Sequence, residues 1–215
     1  MTNKLVNIMK IINSSIEKDI KANRPININL GSGMSPIEGF YSLDQFNIGN
    51  VDILADLNKP LTLLPDNCVH KIFSYHVLEH LENFIPLMSE LHRLVKSNGM
   101  IEVVVPHFSN VYSFSDPTHV RFFGLYTMYY FSLNEDQPVR KVPSFYTDFK
   151  FRVELVKIEF YKDTIFEHLF MPLFSKLVNL NHGCQNFYER RLCSLFHASQ
   201  IRYILIPIKD KEESV

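Results

Sequence analysis

Apolar side chains along the chain follow two periods. Ile26, Ile28 and Leu30 alternate with Asn27 and Asn29, which predicts a first core strand ending at the turn Gly31-Ser32-Gly33. The stretches Tyr41–Leu43, Val51–Leu57 and His70–Tyr75 predict further short strands. Met100–Val105 is an almost continuous apolar run closed by Pro106, as expected of a strand buried on both faces. Helical spacing appears at Leu5, Ile8, Met9, Ile12 and Ile16, which predicts a leading helix within residues 1–24. It recurs after Asn83 at Leu87, Met88, Leu91, Leu94 and Val95, with Ser97-Asn98-Gly99 as the stop.

The second half reads in the same terms. Phe151, Val153 and Leu155 alternate, and a phase slip before Ile158 and Phe160 points to a bulge. Residues 165–180 predict a helix interrupted by Pro172, Ile201–Ile208 a terminal strand, and Lys209–Val215 a charged tail. Only ten residues separate Gly33 from Asp44, and they include Pro36 and Gly39, so a full crossover helix has no room there. Residues 107–149 are rich in Phe, Tyr, His and Pro without a long period, which suits a packed insertion or substrate-side lid better than a linker. Strands alternating with helices predict an α/β fold.

Composition narrows the class. The chain has 215 residues, 46% of them hydrophobic, enough for one domain over residues 1–215 with a substantial core. A formal net charge of -1 removes the usual electrostatic basis for broad nucleic-acid binding. Three spaced cysteines, Cys68, Cys184 and Cys193, form neither a disulfide framework nor a zinc knot, which fits a reducing cytoplasm. No run approaches the roughly 18 apolar residues of a membrane span, and the N-terminus lacks a leader pattern.

Candidate chemistry clusters at the predicted strand ends. Gly31 and Gly33 allow backbone dihedrals and close approaches closed to other residues, although a plain structural turn explains them equally well. Asp44, ending the next strand, could accept hydrogen bonds from two ribose hydroxyls; Asp56 could face an adenine amino group or cap its own turn. In SYHVLEHLE, His76 and His80 open helical territory and would share a helical face with Glu79 nearby. The glutamate stands fourth in HVLEH, whereas zinc hydrolases need it second, so no metal site is expected and a helix cap or histidine network is the bland alternative. His107, Asp116, His119 and Arg121 add a proton acceptor, an orienting carboxylate and an anion clamp, or else a turn at a wet surface. The helix-like spacing of Phe122, Phe123, Tyr126, Tyr129, Tyr130 and Phe131 favours packing over a substrate platform. No serine sits on a nucleophile turn and no cysteine has a recognisable base.

Taken together, NLGSG at 29–33, Asp44, ADLN at 55–58, SYHVLEHL at 74–81, LHRLVKSNG at 91–99, VVVPHFS at 103–109, SDPTHVRFF at 115–123 and FYERRLCSLF at 187–196 resemble a class I S-adenosylmethionine-dependent methyltransferase. The likeness is to the small bacterial methyltransferase type 11-like group. It implies a doubly wound, Rossmann-like sheet of about seven strands, mostly parallel with the last one antiparallel, and S-adenosylmethionine as cofactor. Gly31, Ser32 and Gly33 would then surround the methionine portion, Asp44 would bind ribose, Asp56 and Leu57 would border adenine, and Tyr75 and His76 would line the mouth.

By the same resemblance His107 and His119 are the first candidates for acid-base or orienting roles, with His80 and Glu79 as the competing pair. Asp116, Arg121, Phe108 and Tyr126 are the candidate substrate contacts. The implied acceptor is a small molecule, a sugar or a cell-envelope precursor, with oxygen preferred because histidine can manage a hydroxyl proton. A nucleotide-cofactor oxidoreductase and a noncatalytic binding domain are the alternatives, and the oligomeric state, monomer or homodimer, stays open.

Overall fold

The computed structural model describes residues 9–49 and 51–209. Eight strands form one sheet: β1 (Lys10–Ile11), β2 (Asn27–Leu30), β3 (Tyr41–Asp44), β4 (Ile53–Leu54), β5 (Val69–Tyr75), β6 (Val95–Pro106), β7 (Lys150–Phe160) and β8 (Ala198–Ile208). Their spatial order is β1-β4-β3-β2-β5-β6-β8-β7. Strands β2 to β6 run parallel to their neighbours among themselves, whereas β8 is antiparallel to both β6 and β7 and the edge strand β1 is antiparallel to β4. The expected mostly parallel sheet with an antiparallel last strand is present, with β1 as one strand more than expected.

The hydrophobic pattern explains the layers. In β6, Ile101, Val103, Val104 and Val105 are all fully buried, because helices and loops cover both faces of a central strand. Helix α2 (Phe84–Leu94) buries Phe84, Leu87, Met88, Leu91 and Leu94 on one stripe. Truncating one of these, such as Leu91, to alanine would cost about 2–5 kcal/mol. Beyond β7, helix α3 (Ile165–Val178) starts on a capping box in which Thr164 and Glu167 each accept the other's backbone N–H. Helix α4 (His182–Arg191) follows it, with the Asn181 side chain capping its first turn.

Several expected boundaries move. The leading helix is only α1 (Ser15–Lys21); Lys10–Ile11 pair with β4 instead, and residues 1–8 lie outside those described, as do residues 210–215 of the expected tail. Helix α2 stops at Leu94, and Val95, the last residue of the apolar stripe, already pairs with Val69 as strand. Gly99 is therefore no helix stop: a Cβ there would stand 2.5 Å from the His70 carbonyl oxygen, so it is the close approach of β5 and β6 that excludes a side chain. Pro172 does not interrupt α3, which runs through it. Strand β7 does carry register shifts, but between Val153 and Leu155 and between Glu159 and Phe160, not at the expected slip between Leu155 and Ile158.

Residues 107–149 form two 3-10 turns, Val111–Phe114 and Thr127–Phe131, packed onto the sheet. Phe123, Met128 and Phe131 join the main core, and Leu125, Tyr126, Tyr129 and Val142 form a small cluster of their own, while Phe122 and Tyr130 stay exposed. Among the described residues no helix is long and apolar enough to cross a membrane.

Candidate active site

The register Leu30↔Leu43 brings the turn after β2 level with the end of β3, so that Gly31 and Asp44 face one crevice at the carboxyl ends of parallel strands. Gly31 has φ +58, and a Cβ there would lie 2.4 Å from Val77 Cγ2, so both the dihedral and the space demand glycine. Asp44 is 8% exposed, and its carboxylate accepts the Gly33 amide at 2.8 Å and the Phe46 amide at 2.9 Å. Each oxygen keeps a further lone pair.

A cleft of about 260 Å³ opens here, lined by Gly31, Asp44, Gln45, Phe46, Leu57, Asn58, His76, Val77, His80 and Leu81. Larger cavities of about 730 Å³ beside Tyr126 and α4 and about 1060 Å³ beside His92 and Lys150 lie elsewhere. Size does not select the site; the strand-end crevice does, because there backbone groups and a buried carboxylate converge. Phe46, Leu57, Val77 and Leu81 offer apolar wall to a base, and the buried Asp44 carboxylate offers acceptors to hydroxyls, so the residues present fit an adenosyl cofactor.

His76 stands at φ +54, and its N–H bonds to the Val104 carbonyl, extending the β5–β6 ladder by one residue. That left-handed kink breaks the chain before a helix can start, and Leu78–His80 make a 3-10 turn instead of the expected helical face. His76 and His80 consequently make separate contacts. The Gln200 amide N–H donates to Glu159, which turns its carbonyl oxygen to His76 Nε2 at 3.0 Å. His76 therefore carries its proton on Nε2 and leaves Nδ1 bare, 3.6 Å from Glu79 Oε1.

A similar argument sets the tautomer of His80. The Thr118 hydroxyl donates to the Asp116 carboxylate at 2.6 Å, so it must accept from His80 Nδ1 at 2.8 Å, which leaves His80 Nε2 as a free lone pair. His119 stacks edge-on against His80 with ring centroids 4.7 Å apart, and its Nδ1 lies 3.0 Å from the Ser113 hydroxyl. Burial lowers the pKa of both His76 and His80, favouring their neutral forms. Glu79 is 1% exposed, and burial raises its pKa to about 7.

The family model described as a methyltransferase domain matches residues 39–103, the stretch that builds β3 through most of β6 and the cleft. Residues 39–103 thus carry the pattern of a methyltransferase domain. In solved structures the fold matches the protein paired with a methyltransferase activator in a Haloferax volcanii complex, at 11% identity, TM-score 0.50, and 92% and 91% coverage of the two chains. A SAM-dependent methyltransferase from Archaeoglobus fulgidus is similar at 19% identity, 89% and 91% coverage and TM-score 0.49. One from Mesorhizobium loti is similar at 11% identity, 87% and 95% coverage and TM-score 0.42. No curated protein matches by sequence.

The fold brings Gly31, Asp44, Leu57, His76 and His80 together in the cleft. Ser32 is buried behind them, with its N–H on the Leu43 carbonyl and its hydroxyl without a partner among the described residues, and Gly33 holds Asp44 through its amide. Asp56 is outside the lining and caps its own turn through the Asn58 amide. Tyr75 is half exposed, its ring against that of His76.

His107 is fully buried away from the cleft, with Nδ1 at 2.8 Å from Ser109 and Nε2 at 3.1 Å from Glu189, so neither nitrogen is open. Phe108 packs on the His107 ring, and Tyr126 bonds to Asn186 beside α4, in a different cavity. Arg121 lies over the Phe84 ring, 4.8 Å from its centroid, and bonds to the Glu82 carbonyl; Asp116 is spent on capping Thr118. Phe46, Asn58 and Val77 were invisible as site residues. Only their places two or fewer residues from Asp44, Leu57 and His76 could have marked them.

Proposed function

We propose that this protein is an S-adenosylmethionine-dependent methyltransferase and that it methylates a hydroxyl oxygen of a small-molecule, sugar or cell-envelope precursor acceptor. The observation that carries the reading is His76: it lines the cleft, and because Gln200 holds the proton on Nε2, its Nδ1 keeps a lone pair, 3.6 Å from Glu79 Oε1. An imidazole lone pair at a cofactor cleft is what a hydroxyl acceptor requires, since its proton must leave as the new bond forms.

The cofactor supplies an electrophilic methyl group on a sulfonium centre. Asp44 would hold the ribose hydroxyls on its two remaining lone pairs, and the Gly31-Ser32-Gly33 turn would adjoin the amino-acid portion. Phe46, Leu57 and Leu81 flank the base and keep water out. His76 Nδ1 takes the acceptor's proton. Residues 107–149 cover the acceptor side, and His107 acts at a distance, holding Glu189 and through it the Leu125 amide.

The test is incubation with methyl-labelled cofactor and a panel of hydroxyl, amine and carbon acceptors, with NMR of the product. A methoxy signal supports the reading, and label on nitrogen or carbon alone overturns it. His76→Gln should reduce turnover far more than it weakens S-adenosylhomocysteine binding; equal turnover would remove His76 from the reaction.

A further inference from the structure

The turn beneath the cleft carries a group that the methyl transfer does not use. Glu79 is 1% exposed, yet neither of its carboxylate oxygens has a hydrogen-bond partner among the described residues. A buried carboxylate left bare is strongly unfavourable, and either a proton or a compensating positive charge relieves it. The nearest ring, His76, approaches only to 3.6 Å.

Two further donors converge on the same point. One donor atom each from Glu79, His80 and His119 lies within 4.8 Å of the others. The Nδ1 atoms of both histidines are engaged, His80 with Thr118 at 2.8 Å and His119 with Ser113 at 3.0 Å, which leaves Nε2 of each ring for a ligand; that of His119 has only a 3.7 Å contact with the Asp116 carboxylate. The loop bearing His119 is tied to this turn by the Val120 amide, which donates to the Glu79 carbonyl at 2.9 Å.

We propose that Glu79, His80 and His119 bind a divalent first-row transition-metal ion. Metal–ligand bonds of about 2.1 Å need donors roughly 3.0–3.5 Å apart, a contraction that side-chain rotation on the His119 loop can supply. Two imidazoles and one carboxylate suit zinc, iron, cobalt or nickel, whereas magnesium and calcium take oxygen ligands. The Thr118–Asp116 relay behind His80 and the Ser113 hydroxyl behind His119 are the outer contacts that fix a metal-bound imidazole. Three protein ligands leave coordination positions open. Because His80 also lines the cofactor cleft, those positions adjoin it, and an acceptor hydroxyl held there would have its proton loosened. That consequence rests on the hydroxyl-acceptor reading; the binding of the ion does not.

The experiment uses the full, untagged chain freed of metal by chelator dialysis, titrated with Zn2+ by calorimetry and with Co2+ by visible absorption. One equivalent should bind. His80→Ala and His119→Ala should each weaken binding by about 100-fold or more, and His168→Ala, at an exposed position on α3, should not. Should the histidine variants not fold, the isosteric Glu79→Gln decides: it should weaken binding while leaving the metal-free protein at least as thermally stable. No saturable binding, or binding that survives all three substitutions, overturns the proposal. S-adenosylhomocysteine titrated into the same metal-free sample separates the two readings. Cofactor heat without ion binding removes only the metal site, and ion binding without cofactor heat removes only the methyltransferase reading.

Discussion

Replacing Gly31 by alanine probes the turn on which the cleft depends. Two separate costs follow from the geometry. The backbone sits at φ +58, which costs an L-residue with a Cβ about 1–2 kcal/mol. The new methyl would also lie 2.4 Å from Val77 Cγ2 and 3.1 Å from Cγ1, and overpacking of this kind costs about 1–3 kcal/mol. Gly31→Ala should therefore destabilise the protein by about 2–5 kcal/mol. Val77→Ala removes both offending atoms but not the dihedral strain, so in that background the cost should fall to about 1–2 kcal/mol. A double-mutant cycle by urea denaturation should give a coupling of about 1–3 kcal/mol. Gly31→Ala should also weaken S-adenosylhomocysteine binding, because the displaced turn carries the Gly33 amide that holds Asp44. A cost below about 1 kcal/mol, or the same cost with and without Val77→Ala, would show that the turn relaxes and that the tight Gly31–Val77 approach does not shape the cleft.

Other consequences can be measured separately. Asp44→Ala should reduce S-adenosylhomocysteine affinity by about 10-fold or more, the worth of a charge-assisted hydrogen bond, as read by calorimetry. Glu90 accepts from Arg93 and from the Leu61 amide and so fastens the loop that carries Leu57 and Asn58; the Arg93 bond above all holds its pKa below the ordinary 4.5. Its stabilisation should be fully present above pH 4.5 and lost as the pH falls through the depressed folded value. The gap in denaturation midpoint between wild type and Glu90→Gln should thus be constant near neutrality and close in acid; a gap that widens in acid contradicts the sign. Pro172→Ala restores a backbone donor to the interior of α3 and should raise the melting temperature; an unchanged or lower value contradicts the reasoning.

Much of the sheet is legible in the one-dimensional pattern because burial is periodic: a strand buried on both faces, such as Met100–Val105, cannot be written without a run of apolar residues. Gly31 and Asp44 were equally legible, since a turn at a strand end and a carboxylate one strand over are local features brought level by short-range register. Their partners were not. The kink at His76 belongs to the ladder with Val104, so no spacing rule on HVLEH could foresee that His76 would turn toward Gln200 and His80 toward Thr118. Likewise His107 looked as available as His119, and only the contact with Glu189, 82 positions away, closes it.

By itself, then, the sequence determined the α/β class, the strand that carries the glycine turn and the acidic strand end, because each is set by neighbours within a few residues. Which histidine faces the cleft, which nitrogen keeps its proton, and that Glu79 lies buried without a partner were decided only by tertiary packing. Tautomer and desolvation depend on atoms that the chain brings together from far apart.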